Sequence, residues 1–440
     1  MRTREKARAA LAGEKPDPDG LVRLALSEAL LSLDYGVAAA KNAEEVLRRM
    51  PPRDPNQPQR EVLVEAARGI LSLDTGDRAS ARLHVQLALA KAGVRPPPVL
   101  LMLSARLHSL SGDLTSAGQE LDRAVTEAPH FAPALADWAL HQVDAGDPSL
   151  ARRVLKDFLA KNRSATCVQL AAAQVERALG EGAWKRHADI ACHGDIRAAR
   201  GLRASCSVAS AQDDRLDGER NAAIRKAKTA AQGTDDPRVL ADAAMVLALL
   251  GEIDPADEVL ARARKGADSS FVPLAWADLA VRLGRGQVDG PGPPSDRPTL
   301  SERALLVLRA AYLKGGGPAL ATVVKNVAAN LPELDSDLRL YMELASGGEA
   351  PRTDRTNLER RADRGNPVAA FVLGVLAARN NDHKLAAKRW EKALSGHGDA
   401  CRAALLYLSA LEAQEKPPQP NRNALRALRE RCSACPLPEI

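Results

Sequence analysis

Residues 99–129 read VLLMLSARLHSLSGDLTSAGQELDRAVTEAP, and residues 132–161 read APALADWALHQVDAGDPSLARRVLKDFLAK. Each stretch is an apolar helical segment, a Gly-Asp pair, and a second helical segment with small residues on one face. The pair recurs as Gly76-Asp77, Gly112-Asp113 and Gly146-Asp147, and in altered form as Gly251-Glu252 and Asn381-Asp382. Alanine stands five residues after the first position each time, at Ala81, Ala117, Ala151, Ala256 and Ala386, and often seven further on, at Ala88, Ala124, Ala263 and Ala393. The first three copies lie 36 and 34 residues apart, a period that marks a stacked-repeat architecture.

The phrase has a physical reading. Glycine ends one helix in a backbone conformation that other residues adopt only at a cost, and the following Asp or Glu starts the next helix, where exposed amides favour a carboxylate. Two alanines seven apart share one helix face and let a neighbouring helix approach closely. Each repeat is therefore a helical hairpin with an apolar face that only the next hairpin can cover.

These residues resemble the tetratricopeptide repeat family. Small residues fall seven before the turn at Ala105, Ala139 and Ala244, and Pro129 closes a second helix, both as in that family. The segment 358–408, with Leu373-Gly374, the pair Ala386-Ala387, Trp390 and Ala393, resembles the Sel-like relatives of the same family. The resemblance implies an all-α solenoid of stacked hairpins wound into a right-handed superhelix. In the copy at 60–92, counting back from Gly76 puts Glu65, Arg68 and Ser72 at core positions. A connection about two residues longer is therefore expected there, with Leu63, Ala66, Ala67 and Ile70 facing inward.

The chain divides into a mobile basic start at 1–17 and a repeat array over 18–284, with 193–232 expected to be irregular because Gly194, Gly201 and Gly218 interrupt it. Next comes GRGQVDGPGPPSDRP at 284–298, too rich in Gly and Pro for a helix, so 285–298 reads as a linker or loop. A second array follows over 299–440, with Ser301-Glu302 near its helix entry and Sel-like repeats at about 355–414.

Composition narrows the function. Apolar residues at 45% and charged residues at 27% are ordinary, but Phe, Trp and Tyr number only four each. The interior must be built of Ala, Leu and Val, and surfaces that stack on bases or sugars are disfavoured. The net charge of +6 comes from 62 basic residues interleaved with 56 acidic ones, the pattern of solvated helix faces and not of a nucleic-acid module. The apolar runs 239–250 and 367–378 fall short of the ~20 residues of a membrane-spanning helix, and the N-terminus lacks the apolar core of a secretory signal. A cytoplasmic location is expected, or a periplasmic or exported one if an upstream signal or anchor belongs to a longer chain. Six cysteines fall in two groups, Cys167, Cys192 and Cys206, then Cys401, Cys432 and Cys435. Such clusters fit either disulfides or small apolar core residues.

No catalytic or cofactor motif stands out. GRGQVDG has the wrong spacing for a nucleotide loop, and Gly315-Gly316-Gly317 has no following Lys-Ser or Lys-Thr. The set His187, Cys192, His193 and Cys206 matches no zinc spacing, and Cys432-Ser-Ala-Cys435 is a lone pair. Neither an enzyme nor a cofactor is expected. The resemblance implies that the first helix of each hairpin lines a concave face. Carried onto this chain, candidate partner-binding positions are Met102 and Arg106, Ala136 and Leu140, and Ala241 and Met245; tight coiling that buries them is the alternative. The expected function is a non-catalytic scaffold or adaptor that takes a partner's helix or peptide in this groove, without nucleic acid or membrane insertion. The alternatives are a regulatory or substrate-recruiting region of a larger enzyme or membrane-anchored protein, and an exported envelope-assembly factor.

Overall fold

The computed structural model describes residues 18–35, 37–50, 57–163, 165–179, 183–192, 200–216 and 219–295, then 352–363 and scattered positions between 300 and 389. Its helices are α1 (Pro18–Tyr35), α2 (Val37–Arg48), α3 (Pro58–Asp74), α4 (Arg78–Ala92), α5 (Pro98–Leu110), α6 (Leu114–Glu127), α7 (Ala132–Ala145) and α8 (Pro148–Lys161). They continue with α9 (Thr166–Ala178), α10 (Trp184–Cys192), α11 (Arg200–Leu216), α12 (Arg220–Gln232), α13 (Pro237–Leu249), α14 (Ile253–Gly266), α15 (Val272–Gly284) and α16 (Arg352–Asp363). No strand occurs among the described residues. Consecutive helices pack as hairpins from α1–α2 to α13–α14, and the hairpins stack in chain order as a helical solenoid.

The turn chemistry follows the residues. Gly76, Gly112, Gly146 and Gly251 have φ of 75°, 76°, 95° and 81°, the left-handed conformation open to glycine. The amides of Asp77, Asp113, Asp147 and Glu252 each donate back to a carbonyl of the preceding helix, at 2.8–3.0 Å, which satisfies its last turn. Asp77 and Asp113 then cap the next helix through Ser80 and Ser116, each at 3.0 Å. Asp382 repeats the device, taking the amide of Leu385 at 3.1 Å.

The two helices of a hairpin are buried differently. The second helices bury a narrow stripe, Ala81, Val85 and Ala88 in α4, or Ala117, Leu121 and Ala124 in α6. In the first helices the burial wraps around: every residue of α5 from Val99 to Ala105 is buried, and in α13 every residue from Val239 to Leu249 except Asp242. A helix buried all round has neighbours on both sides. The stacked hairpins cover one side, so something must cover the concave one.

Part of that cover is the solenoid itself, which meets its own start. Helix α11 packs on α1. Arg78, at the start of α4, holds Asp268 with two bonds of 2.7 and 2.8 Å. The Asp268 amide donates to the Leu110 carbonyl at 2.9 Å, and Ser270 Oγ donates to the Ser111 carbonyl at 3.0 Å. The loop before α15 is thereby pinned on the α5–α6 turn.

Two readings of the sequence are revised, and one left open is decided. The α3–α4 connection spans only 75–77, as short as 111–113, and Glu65 is buried after all, ion-paired with Arg68 at 3.0 Å and in contact with His84 Nδ1 at 2.7 Å. Ala66, Ala67 and Ile70 are buried as expected, with Leu63 partly so. Residues 200–232 are not irregular but form the hairpin α11–α12, where Ala223, Ala227 and Ala230 supply the close contact. Cys192 and Cys206 form a disulfide that ties α10 to α11. The expectations for 1–17, 324–351 and 390–440, with Cys401, Cys432 and Cys435, lie outside the described residues.

The closure can be measured through two glycines of equal backbone angle. A Cβ at Gly76 meets nothing within 4 Å, whereas one at Gly112 collides with Ser270 Oγ and approaches its carbonyl oxygen to 2.8 Å. In denaturant titrations Gly76→Ala should cost ~1 kcal/mol for its positive φ alone. Gly112→Ala should cost at least ~1 kcal/mol more from the added clash. Equal losses would mean that the 268–270 loop does not sit on this turn.

Candidate functional site

The first helices converge on one concave face. Leu30 of α1, Asp74 of α3, Arg106 of α5, Leu140 and His141 of α7, Arg177 of α9, Gln212 of α11 and Arg238 and Asp242 of α13 all border a cavity of about 320 Å³. Leu121 of α6 and Trp184 of α10 border it too. The face is not empty beyond the cavity, however. After the Gly/Pro tract Leu300, Glu302, Arg303, Leu306 and Val307 are all buried, Leu300 in the cluster of α7 and α9, and Leu306 and Val307 in one that also contains Leu358, Ala362, Ala370, Leu373, Ala377 and Ala386. Every described position from 302 to 314 is helical.

The tract leading there is exposed through 285–294 apart from Val288, and Arg282 donates to the carbonyls of Asp289 and Pro291 at 3.1 and 2.6 Å. Leu300 lies in the apolar cluster of α7 and α9.

Two adjacent charges fix the returning segment. Glu302 is ion-paired with Arg177 of α9, and Arg215 of α11 stands 3.9 Å away. Arg303 donates to Asp144 of α7 at 3.1 Å and stacks on Trp276 of α15, with 5.7 Å to the ring centre. Asp144 is shared with Arg238 of α13. A neighbouring anion and cation are thus each read by the opposite charge on a different helix of the ring.

Burial sets the titration of the carboxylates here. It would raise Glu302, but the guanidiniums of Arg177 and Arg215 outweigh it and hold the carboxyl at about 2. Asp144 is likewise held below its ordinary value, by Arg238 and Arg303 against the effect of burial. Asp242 goes the other way: burial lifts it to about 6 despite the nearby arginines. Asp74 is raised to about 6 by burial and by Asp236 beside it. Burial lowers His141 in spite of Asp144 and Asp122, so this imidazole is neutral at pH 7.

The six candidate groove positions separate into two groups. Met102 and Ala241 are wholly buried, and Met245 and Ala136 nearly so, at 2% and 5% exposure; they are packed between helices, although Ala136 also touches the cavity. Arg106 and Leu140 border the cavity half-buried, and Arg106 holds Asp137 of the next first helix, with its second bond at 3.0 Å. Sequence reasoning missed Asp144, Arg177, Arg215 and Arg303, and read Glu302 only as a helix entry. A signal was present: Asp144 and Arg177 are charges near the ends of otherwise apolar or alanine-rich first helices.

The arrangement is suited to holding a helix by apolar contact and buried ion pairs. Cys192 and Cys206 are bonded to each other and provide no thiolate for a metal. Among the described residues no group of three or more His, Cys, Asp or Glu is placed to hold a metal ion. No protein-family model matches this chain, and no curated protein matches its sequence significantly.

The opposed shifts make a pH prediction. Glu302 has a lowered pKa, so its contribution is present above its unfolded pKa and is lost as pH falls from ~4.5 towards 2. Asp242 and Asp74 have raised values, so the folded state binds extra protons and stability falls as pH rises from ~4 through about 6. Asp242→Asn should raise the melting temperature at pH 7.5 and flatten the decline between pH 4 and 6. A pH profile unchanged by the substitution would show that Asp242 is not held in this buried state.

Proposed function

We propose that this chain is a non-catalytic interaction scaffold of the tetratricopeptide-like kind, with Sel-like repeats towards its C-terminus, that takes a helical segment of a protein partner on its concave face. The observation that carries the reading is the occupied ring. First helices α7, α9, α11 and α15 already hold Glu302 and Arg303 through opposite charges and a ring face, and Leu300 sits in the apolar cluster of α7 and α9. Helix-in-groove recognition uses the same combination of apolar anchors and polar register. The paired helices and the small-residue turn phrase support the family assignment, and the absence of any nucleotide or triad motif from the sequence supports a binding role over a catalytic one.

Leu140 tests the reading, since it borders the cavity without being fully buried. Leu140→Glu, used as bait beside the wild type, should lose specific partners while the melting temperature falls by no more than a few degrees. An unchanged partner list on an intact fold places the binding surface elsewhere, and a collapse of the melt assigns Leu140 to the core.

The disulfide favours a second reading, an assembly or recruiting factor that works in an oxidising compartment. No helix among the described residues is long and apolar enough to cross a membrane. With a sequence separation of 14 between Cys192 and Cys206, the cross-link should stabilise the fold by ~3 kcal/mol. Thiol titration of denatured, unreduced protein should leave this pair unlabelled, and a reductant should lower the denaturation midpoint. Full labelling of both cysteines in protein from its native compartment would remove the support for export.

A further inference from the structure

We propose that the cavity of about 320 Å³ on the concave face binds one small organic amine, whose positive charge answers the carboxylates of Asp74 and Asp242 and whose carbon body lies on the apolar wall. The site goes beyond the scaffold reading and does not depend on it. A cavity at the lower end of the range of small-molecule pockets takes a single compact ligand and not a partner helix.

The charges of the wall do not balance. Among the described residues, every arginine that borders the cavity already holds a carboxylate: Arg106 holds Asp137, Arg177 holds Glu302, and Arg238 and Arg303 share Asp144. Of the acids that border it, Asp137 is thereby used, and Asp236 caps α13 by accepting the amides of Arg238 and Val239 at 2.8 and 3.4 Å. Asp74 and Asp242 are left, half-buried and with neither an ion pair nor a hydrogen bond among the described residues. A carboxylate withdrawn from water needs a cation beside it, and the wall has none to spare. Leu30, Leu73, Leu110, Leu140 and Phe271 supply apolar surface next to these acids, which suits the carbon body of an amine and not a hydrated metal ion.

A buried acceptor points to the same ligand independently. His141 borders the cavity at 8% exposure, and its Nδ1 has no hydrogen-bond partner among the described residues. A Cβ at Gly118 of α6 would stand 2.7 Å from Nε2, so that edge of the ring faces α6 and Nδ1 is turned away from it. Burial and Arg238 keep the ring neutral against Asp144 and Asp122, and a neutral imidazole keeps one acceptor nitrogen. An ammonium brings three N–H donors, which can serve carboxylates and such an acceptor together. Asp74 faces Asp236, and Asp242 faces Asp144 as well as Arg238, Arg303 and Arg177; burial lifts both carboxyls to about 6. Both are therefore charged at pH 7.5 and mostly protonated at pH 5, whereas an alkylamine stays cationic at either.

The probes are pentane-1,5-diamine, pentylamine, pentan-1-ol and pentanoate, one carbon body with charges from positive to negative, titrated by calorimetry into the full chain at pH 7.5. The titration uses the chain alone, so its failure leaves the scaffold reading standing. Both amines should bind, pentylamine at least about tenfold more tightly than the alcohol through its charge-assisted hydrogen bonds, and pentanoate should bind most weakly. Lowering the pH to 5 should weaken the amines by about tenfold, because carboxyls that titrate at about 6 are then mostly protonated, and should leave the alcohol unchanged. The double variant Asp74→Asn with Asp242→Asn keeps the side-chain volumes and removes both charges. In it the amines should fall to the affinity of the alcohol. Amines that bind wild type no more tightly than the alcohol does overturn the proposal, as do amines that bind the double variant as tightly as the wild type. Should the variant unfold, the wild type decides: an amine affinity that does not change between pH 7.5 and pH 5 overturns the proposal.

Discussion

A layer of alanine-rich helices has two apolar sides, and the rest of this structure depends on covering both. The turn phrase solves only the outer half. Ala81, Ala117, Ala151 and Ala256 have no exposed surface because the neighbouring helix lies directly on them, and that close approach gathers the first helices into a layer with an apolar inner side. Aromatic residues are too few to fill a wide interior. The solution is a coil tight enough for the 268–270 loop to reach the α5–α6 turn, with a segment of the same chain laid in the remaining space.

Charges were used inside that space where alkyl groups would have covered it at lower cost. Burying Glu302 and Arg303 costs several kcal/mol each before their partners repay it, and replacing such groups by well-packed apolar residues is often neutral or better. What the pairs add is register. Leu300 could slide along an apolar groove by a helical turn with little penalty, but Glu302 can meet Arg177 and Arg215 in only one position. The Arg238–Asp144–Arg303 bridge also joins α7 to α13 across the cavity, so the ion pairs fix the coil of the solenoid as well as its contents.

How much of this was legible in the sequence depended on range. Turns at Gly76, Gly112, Gly146 and Gly251, and the buried alanines after them, follow from local chemistry with a fixed period, and they are where the pattern put them. Glu65 misled because a charge at a core position looks like a register error; its partners His84 and Arg68 only make sense once α4 folds back. The site itself was hidden for a stronger reason. Asp144 and Arg303 are 159 residues apart, and Arg177 and Glu302 are 125 apart. Which residues meet at such separations depends on the coil of the superhelix, which a repeat period does not specify. Met102, Ala241 and Met245 were placed on the right helices, and the tightness of the coil turned them from groove into core.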